Sequence, residues 1–183
     1  MLKKMHETKI YGDAWLEFFQ DAIQFPDGSV GTYAWAHRKN GVAVVIITTN
    51  QTILLQNEYR YVIGGQSWEV QGGGIDAGES VERAAVREVF EESGISITEN
   101  QLIKLGTFYP LNSLSTEQVT LFCIVIEPTA VTTIGTEMGE EISEQRFMPF
   151  SEALEMIDTG KVNDAFTAHA IQLAIRRYHA HAI

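Results

Sequence analysis

Residues 73–95 read GGIDAGESVERAAVREVFEESGI, six carboxylates in 23 positions opening directly behind a glycine run. Ser80 has the side chain of an N-cap, Glu79 and Glu82 suit the positive end of a helix dipole, and Gly94 suits the left-handed residue that closes a helix. Between them Val81, Ala84, Ala85, Val89 and Phe90 give an apolar stripe at helical spacing. Glu88, Glu91 and Glu92 stand at i, i+3 and i+4, so their side chains rise from one face and repel one another. A solvated acidic surface is one account of such a face. The Gly72–Gly74 run just upstream and the neighbouring Arg87 favour another, in which a cation supplies the missing positive charge. An all-oxygen set without His or Cys suits a hard ion, Mg2+ or Mn2+, rather than zinc.

The spacing of Gly73, Glu79, Arg87-Glu88-Val89, Glu91-Glu92 and Gly94-Ile95 resembles a complete Nudix box, with every fixed position filled. That resemblance implies a Nudix hydrolase fold: an α/β/α sandwich in which the box forms a loop, a helix and a loop beside a mixed sheet. It implies metal-assisted hydrolysis of a nucleoside diphosphate linked to another group. By the same resemblance Glu88 and Glu92 are the principal metal ligands, Glu91 a further ligand, and the Gly72 carbonyl a backbone ligand. Arg87 orients the carboxylates and Glu79 supports the loop. The chemistry is coherent with the charge of the chain, because a protein of net charge −11 repels a diphosphate unless cations intervene.

Length and composition fit one catalytic domain. The 183 residues are 45% hydrophobic and 20% charged, enough for one core. The lone cysteine, Cys123, falls in Leu121–Ile126, a buried-strand composition, and reads as an inert core thiol. No apolar run reaches the roughly 20 residues of a membrane helix and no leader-type start is read, so the cytoplasm is expected and a membrane partner is not. With only 13 Lys plus Arg, a nucleic-acid partner is not expected either.

Along the chain, Trp15–Phe25 and Ser29–Ala36 read as a hairpin about Pro26-Asp27-Gly28. Val42–Thr49 and Thr52–Asn57 read as central strands about an Asn50-Gln51 turn, with further strands at Ser67–Gln71, Leu102–Phe108, Gln118–Ile126 and Gln145–Met148. Helices are expected from Ser151 and over Asn163–Tyr178. Residues 1–40 form an antiparallel β extension and 41–183 the hydrolase domain. The extension carries Trp15, Phe18, Phe19, Phe25, Tyr33 and Trp35, a load of aromatics that fits a homodimer, with Tyr33 or Trp35 a candidate for stacking on a base; core packing is the competing use.

Outside the box the chain resembles the ADP-ribose pyrophosphatase group of that family. Pro110 lies fifteen residues beyond Ile95, Glu58-Tyr59-Arg60 precedes Trp68-Glu69-Val70, and Ser115-Thr116-Glu117-Gln118 precedes a strand. The resemblance implies that Arg60, Glu69, Pro110 and Glu117 contact a small-molecule nucleoside diphosphate, ADP-ribose first. Gln71-Gly72 departs from the proline and small residue usual there. The base that activates water is expected in the acidic stretch 127–144, which holds Glu137, Glu140, Glu141 and Glu144; Glu141 and Glu140 are the candidates. Other readings are a GDP-mannose or other nucleotide-sugar pyrophosphatase, a nucleoside-triphosphate cleaning enzyme, a ligand-sensing domain without catalysis, and an acidic calcium-binding scaffold. The intact box opposes the third, and the absence of EF-hand spacing the last.

Overall fold

In the computed structural model, which describes residues 1–129 and 142–181, the chain groups into two compact units. One comprises residues 1–40 and 108–119; the other comprises 41–107 and the described residues from 120 onward. Among the described residues there are ten strands and three α-helices.

The first unit is an antiparallel sheet of β1 (Lys3–Gly12), β2 (Leu16–Gln24) and β3 (Val30–Arg38), in that order. The hairpin expected about Pro26-Asp27-Gly28 forms: Gly28 takes φ 87° and donates its N–H to the Phe25 carbonyl at 3.0 Å. β2 and β3 then pair in unbroken register from Gln24↔Val30 to Leu16↔Arg38. This register puts Phe19 opposite Trp35, and their rings stack with centroids 4.3 Å apart. Segment 108–119 is tied to β3 by the Tyr33 hydroxyl, which donates to the Ser113 carbonyl at 2.8 Å, and by His37 Nδ1 with the Thr116 hydroxyl at 2.7 Å. β1 is not anticipated from the sequence. All ten of its residues are exposed, so no alternation of burial marks it.

The second unit is built on β4 (Gly41–Thr48), every residue of which is buried. Its sheet runs β10 (Ile142–Pro149), β5 (Thr52–Arg60), β4, β9 (Val119–Ile126), β8 (Ile103–Phe108), with β6 (Gly65–Glu69) paired to β5 and β7 (Gln71–Gly74) to β4. A strand covered on both faces shows a continuous apolar run, as Val42–Ile47 does. Side-chain alternation sends Val42, Val44 and Ile46 into a core with Ala84, Ala85 and Val89 of α1 (Val81–Ser93). Helices α2 (Phe150–Asp158) and α3 (Ala165–His181) bury Ala153, Met156, Ala170, Ile171 and Ala174, and both pack on this sheet. The result is the expected α/β/α sandwich with a mixed sheet. The turn at Asn50-Gln51 also forms, with Gln51 in the left-handed region at φ 60°. The expected Ser67–Gln71 strand is two strands, breaking at Val70 as the chain passes from β5 to β4, and β10 begins three residues before the expected Gln145.

Candidate active site

Helix α1 begins where the sequence places it. The Ser80 hydroxyl accepts the Arg83 N–H at 3.2 Å, and Gly94 closes the helix at φ 69° with its N–H on the Phe90 carbonyl at 2.9 Å. Burial of Ala84, Ala85 and Val89 fixes the rotation of the helix, which turns Glu88 and Glu92 inward. They are only 7% and 3% exposed. β7 makes the room: a Cβ on Gly73 would lie 2.5–2.7 Å from the Glu88 carboxylate, and one on Gly72 would strike the Val42 carbonyl across the sheet. Glycine is required at both positions for close approach, not for an unusual φ.

Arg87 is the hub. Its Nε and Nη2 grip both oxygens of Glu79 at 3.1 and 3.0 Å, its Nη1 donates to Glu88 and to Glu91 at 2.9 Å each, and Nη2 donates to the Gly74 carbonyl at 2.9 Å. These bonds use the full donor capacity of a guanidinium. The bond to Arg87 holds the Glu79 carboxyl below its ordinary value, and Glu79, with the largest effect, pushes Arg87 further above its own. Glu79 also closes the loop: its carboxylate accepts the Asp76 N–H at 3.2 Å, and its own N–H reaches the Asp76 carbonyl at 3.0 Å.

Glu92 is held differently. Its Oε1 accepts from the Gln56 amide at 2.9 Å and its Oε2 from the Gly72 N–H at 2.8 Å. So the structure brings Glu88 and Glu91 together through one arginine nitrogen and directs Glu92 toward β5 and β7. Among the described residues no three His, Cys, Asp or Glu side chains gather closely enough to hold an ion as they stand. The expectation from i, i+3, i+4 spacing is met in direction, while the partners differ: Arg87 holds Glu88 and Glu91, and Glu92 turns to Gln56 and Gly72.

Arg60 and Glu69 are also brought together. Arg60 forks onto Glu69 at 3.0 and 2.5 Å and pairs with the buried Glu58 at 2.9 Å. Antiparallel pairing of β5 with β6 sets Gln56 opposite Glu69 and leaves Arg60, opposite Gly65, on the same face, from which its long side chain reaches back past Glu58 to Glu69. Glu69, Glu58 and Glu92 all push the Arg60 guanidinium above its ordinary value, Glu69 most. Six carboxylates, Glu58, Glu69, Glu79, Glu88, Glu91 and Glu92, thus face two guanidiniums. The set is acidic and built wholly of oxygen donors, and the missing Cβ of Gly73 leaves its strand open to Glu88; these residues fit a hard divalent cation.

The remaining sequence-derived candidates belong to other segments of the chain. Pro110 is in an exposed turn and Glu117 pairs with Arg38 at 3.4 Å, both in the first unit. Glu144 pairs with Arg146 at 3.3 Å. Glu137, Glu140 and Glu141 lie outside the described residues. Cys123 is buried, and burial pushes its thiol up to about 11, as an inert core residue requires. Sequence reasoning missed Gln56 and Gln145. The available signal was a glutamine, Gln56, directly after the wholly buried Ile53–Leu55.

Comparison with known proteins agrees with this geometry. The NUDIX domain model matches residues 37–169. The chain is 26% identical over 171 residues to the ADP-ribose pyrophosphatase of Bacillus subtilis (strain 168), covering 93% of this chain and 90% of that one. It is 31% identical over 144 residues to a GDP-mannose pyrophosphatase of Yersinia enterocolitica serotype O:8, covering 75% and 74%. A crystal structure of an ADP compounds hydrolase superposes with a TM-score of 0.80 at 19% identity over 98% of this chain and 95% of that one, a likeness of fold. The chain belongs to the Nudix family, and it is a pyrophosphohydrolase of that family. Hydrolases of this kind use divalent metal ions. Among the described residues no helix is long and apolar enough to cross a membrane.

Proposed function

We propose that the protein hydrolyses the diphosphate bond of a nucleoside diphosphate sugar, ADP-ribose to AMP and ribose 5-phosphate, with Mg2+ as the cofactor and Mn2+ as a substitute. The observation that carries this reading is the set of carboxylates on α1 and the loop before it, organised with the Gly74 carbonyl by the five-bond hub of Arg87. The ion is held by Glu88, Glu91, Glu92 and the Gly72 carbonyl, and when bound it supplies charge neutralisation for the diphosphate and a more acidic attacking water. Arg87, bonded to Glu79 and the Gly74 carbonyl, fixes the loop and orients Glu88 and Glu91, which with Glu92 would hold the ion. Arg60 offers its exposed edge to a phosphate oxygen, while Glu58 and Glu69 behind it fix its plane. Glu69 also lies ready to accept a ribose hydroxyl, and Pro110 and Glu117 are proposed contacts further along the substrate. Glu141 or Glu140 takes the proton of the attacking water.

The relative acting on GDP-mannose favours a second reading, the same cleavage on GDP-mannose. A substrate panel with Mg2+ decides between them: AMP plus ribose 5-phosphate as the preferred products supports the first, GMP plus mannose 1-phosphate the second. Glu140→Gln and Glu141→Gln, assayed separately, test the base; full activity in both removes that stretch from the mechanism. A cytoplasmic homodimer is part of the proposal, the dimer resting on the aromatic load of the first unit, where Trp15, Phe18, Phe25 and Tyr33 are exposed. A monomer by light scattering at micromolar concentration refutes the dimer.

A further inference from the structure

Behind the acidic site lies a chain of amides buried in the sheet. Gln56 on β5 is 1% exposed and Gln71 on β7 is wholly buried. Gln145 on β10 is the cross-strand partner of Gln56. Gln56 Oε1 accepts from Gln145 Nε2 at 3.0 Å and from Gln71 Nε2 at 3.3 Å, and Gln56 Nε2 donates to Glu92 Oε1 at 2.9 Å. Gln145 Nε2 also donates to the Glu92 main-chain carbonyl at 2.8 Å.

The polarity of this chain follows from its partners. Reversing the Gln56 amide would set its NH2 against two other NH2 groups and its oxygen against a carboxylate. Two donors converging on one amide oxygen therefore commit its nitrogen to Glu92, and the bonds polarise one another in the same sense. Two buried glutamines beside the half-buried Gln145 are costly, since a buried amide needs every bond it can make, and Gln71 Oε1 has no hydrogen-bond partner among the described residues. An apolar trio would pack there without that cost. What the amides supply is a fixed carboxylate: the Gly72 N–H and the Gln56 amide each take one Glu92 oxygen with a neutral donor, so the carboxylate is oriented without a counter-charge from these two partners.

We propose that Gln56 is a positioning residue for Glu92, oriented by Gln145 and Gln71, and that it sets the affinity of the site for its divalent ion. The inference rests on the reading of Glu92 as a metal ligand. Hydrogen-bond partners of ligating groups typically change metal affinity by about 10–100-fold when removed.

The test is Mn2+ binding by electron paramagnetic resonance on the substrate-free protein, for wild type, Gln56→Met, Gln145→Met and Glu92→Gln, at a temperature where each is folded by circular dichroism. Gln56→Met is expected to bind Mn2+ at least about tenfold more weakly, with kcat recovering as Mg2+ is raised; a purely structural lesion would lower kcat without such rescue. Gln145→Met, which leaves the bond from Gln56 to Glu92 in place, is expected to weaken binding by less, and it carries the test if Gln56→Met fails to fold. Wild-type affinity in the glutamine variants with lost affinity in Glu92→Gln overturns the positioning role alone. Wild-type affinity in Glu92→Gln overturns the metal reading beneath it.

Discussion

Arg87 is the position at which a single substitution tests the organisation of the site most directly. In the metal-free protein it is the counter-charge for Glu79, Glu88 and Glu91, whose side chains are 16%, 10% and 42% exposed, and its own is 25% exposed. Arg87→Met keeps much of the length and apolar stem but strands Glu79 and Glu88 against each other in a half-buried place. Charge-assisted hydrogen bonds contribute about 1.5–3 kcal/mol each, but they do not add when they share one donor group. Exposed Glu91 contributes little. Counting the Glu79 fork and the Glu88 bond once each, and discounting for partial exposure, the loss is about 3 kcal/mol, equivalent to a fall in Tm of about 6–12 °C for a chain of this size. Arg87→Lys keeps the charge but not the fork, and should lose about half as much. The assay is urea unfolding in EDTA and again in millimolar Mg2+. The variants should regain more stability from Mg2+ than wild type does, because the ion replaces a counter-charge they lack. A loss under about 1 kcal/mol in Arg87→Met, or Arg87→Lys equal to wild type, would refute the hub.

Three further outcomes follow from the same geometry. Gly73→Ala should displace the Glu88 carboxylate and lower kcat at least about tenfold with little change in Tm, whereas Gly72→Ala, which strikes main chain, should lower Tm first; steady-state kinetics beside calorimetry separates them. The Glu79 carboxyl is held below its usual 4.5 in the folded chain, so its contribution is complete above that value and is lost as pH falls through the lowered one. Acid unfolding curves of the metal-free protein should therefore be steeper below pH 4.5 for wild type than for Arg87→Met. The Cys123 thiol should resist iodoacetamide at about pH 8 until denaturant is added, and rapid labelling of the native chain would contradict its burial.

The site was legible in the sequence wherever its residues are near neighbours. Ser80, Arg87 and Gly94 could be placed because capping and helical spacing act within a few residues. The buried strands could be placed because a fully covered strand is continuously apolar. What escaped depended on register between distant segments. The Arg60–Glu69 fork exists because β6 folds back on β5, and the bond from Gln145 to Gln56 spans 89 positions of chain. Neither leaves a periodic trace. β1 escaped for a different reason: its side chains stay exposed, and only main-chain pairing with β2 makes it a strand. Spacing gives the face of Glu88, Glu91 and Glu92 and not their partners, which are Arg87 for the first two and Gln56 with the Gly72 N–H for the third.

That partner lies on the same helix as the acids it balances, one residue before Glu88 and four before Glu91. A segment of 23 residues therefore carries part of its own counter-charge, together with the glycine that admits Glu88 and the serine that starts the helix. Such a cassette asks its host for an apolar seat for Ala84, Ala85 and Val89 and for the two donors, Gln56 and the Gly72 N–H, that hold Glu92. The surrounding scaffold is free to be rewritten for new leaving groups while the reacting centre travels intact.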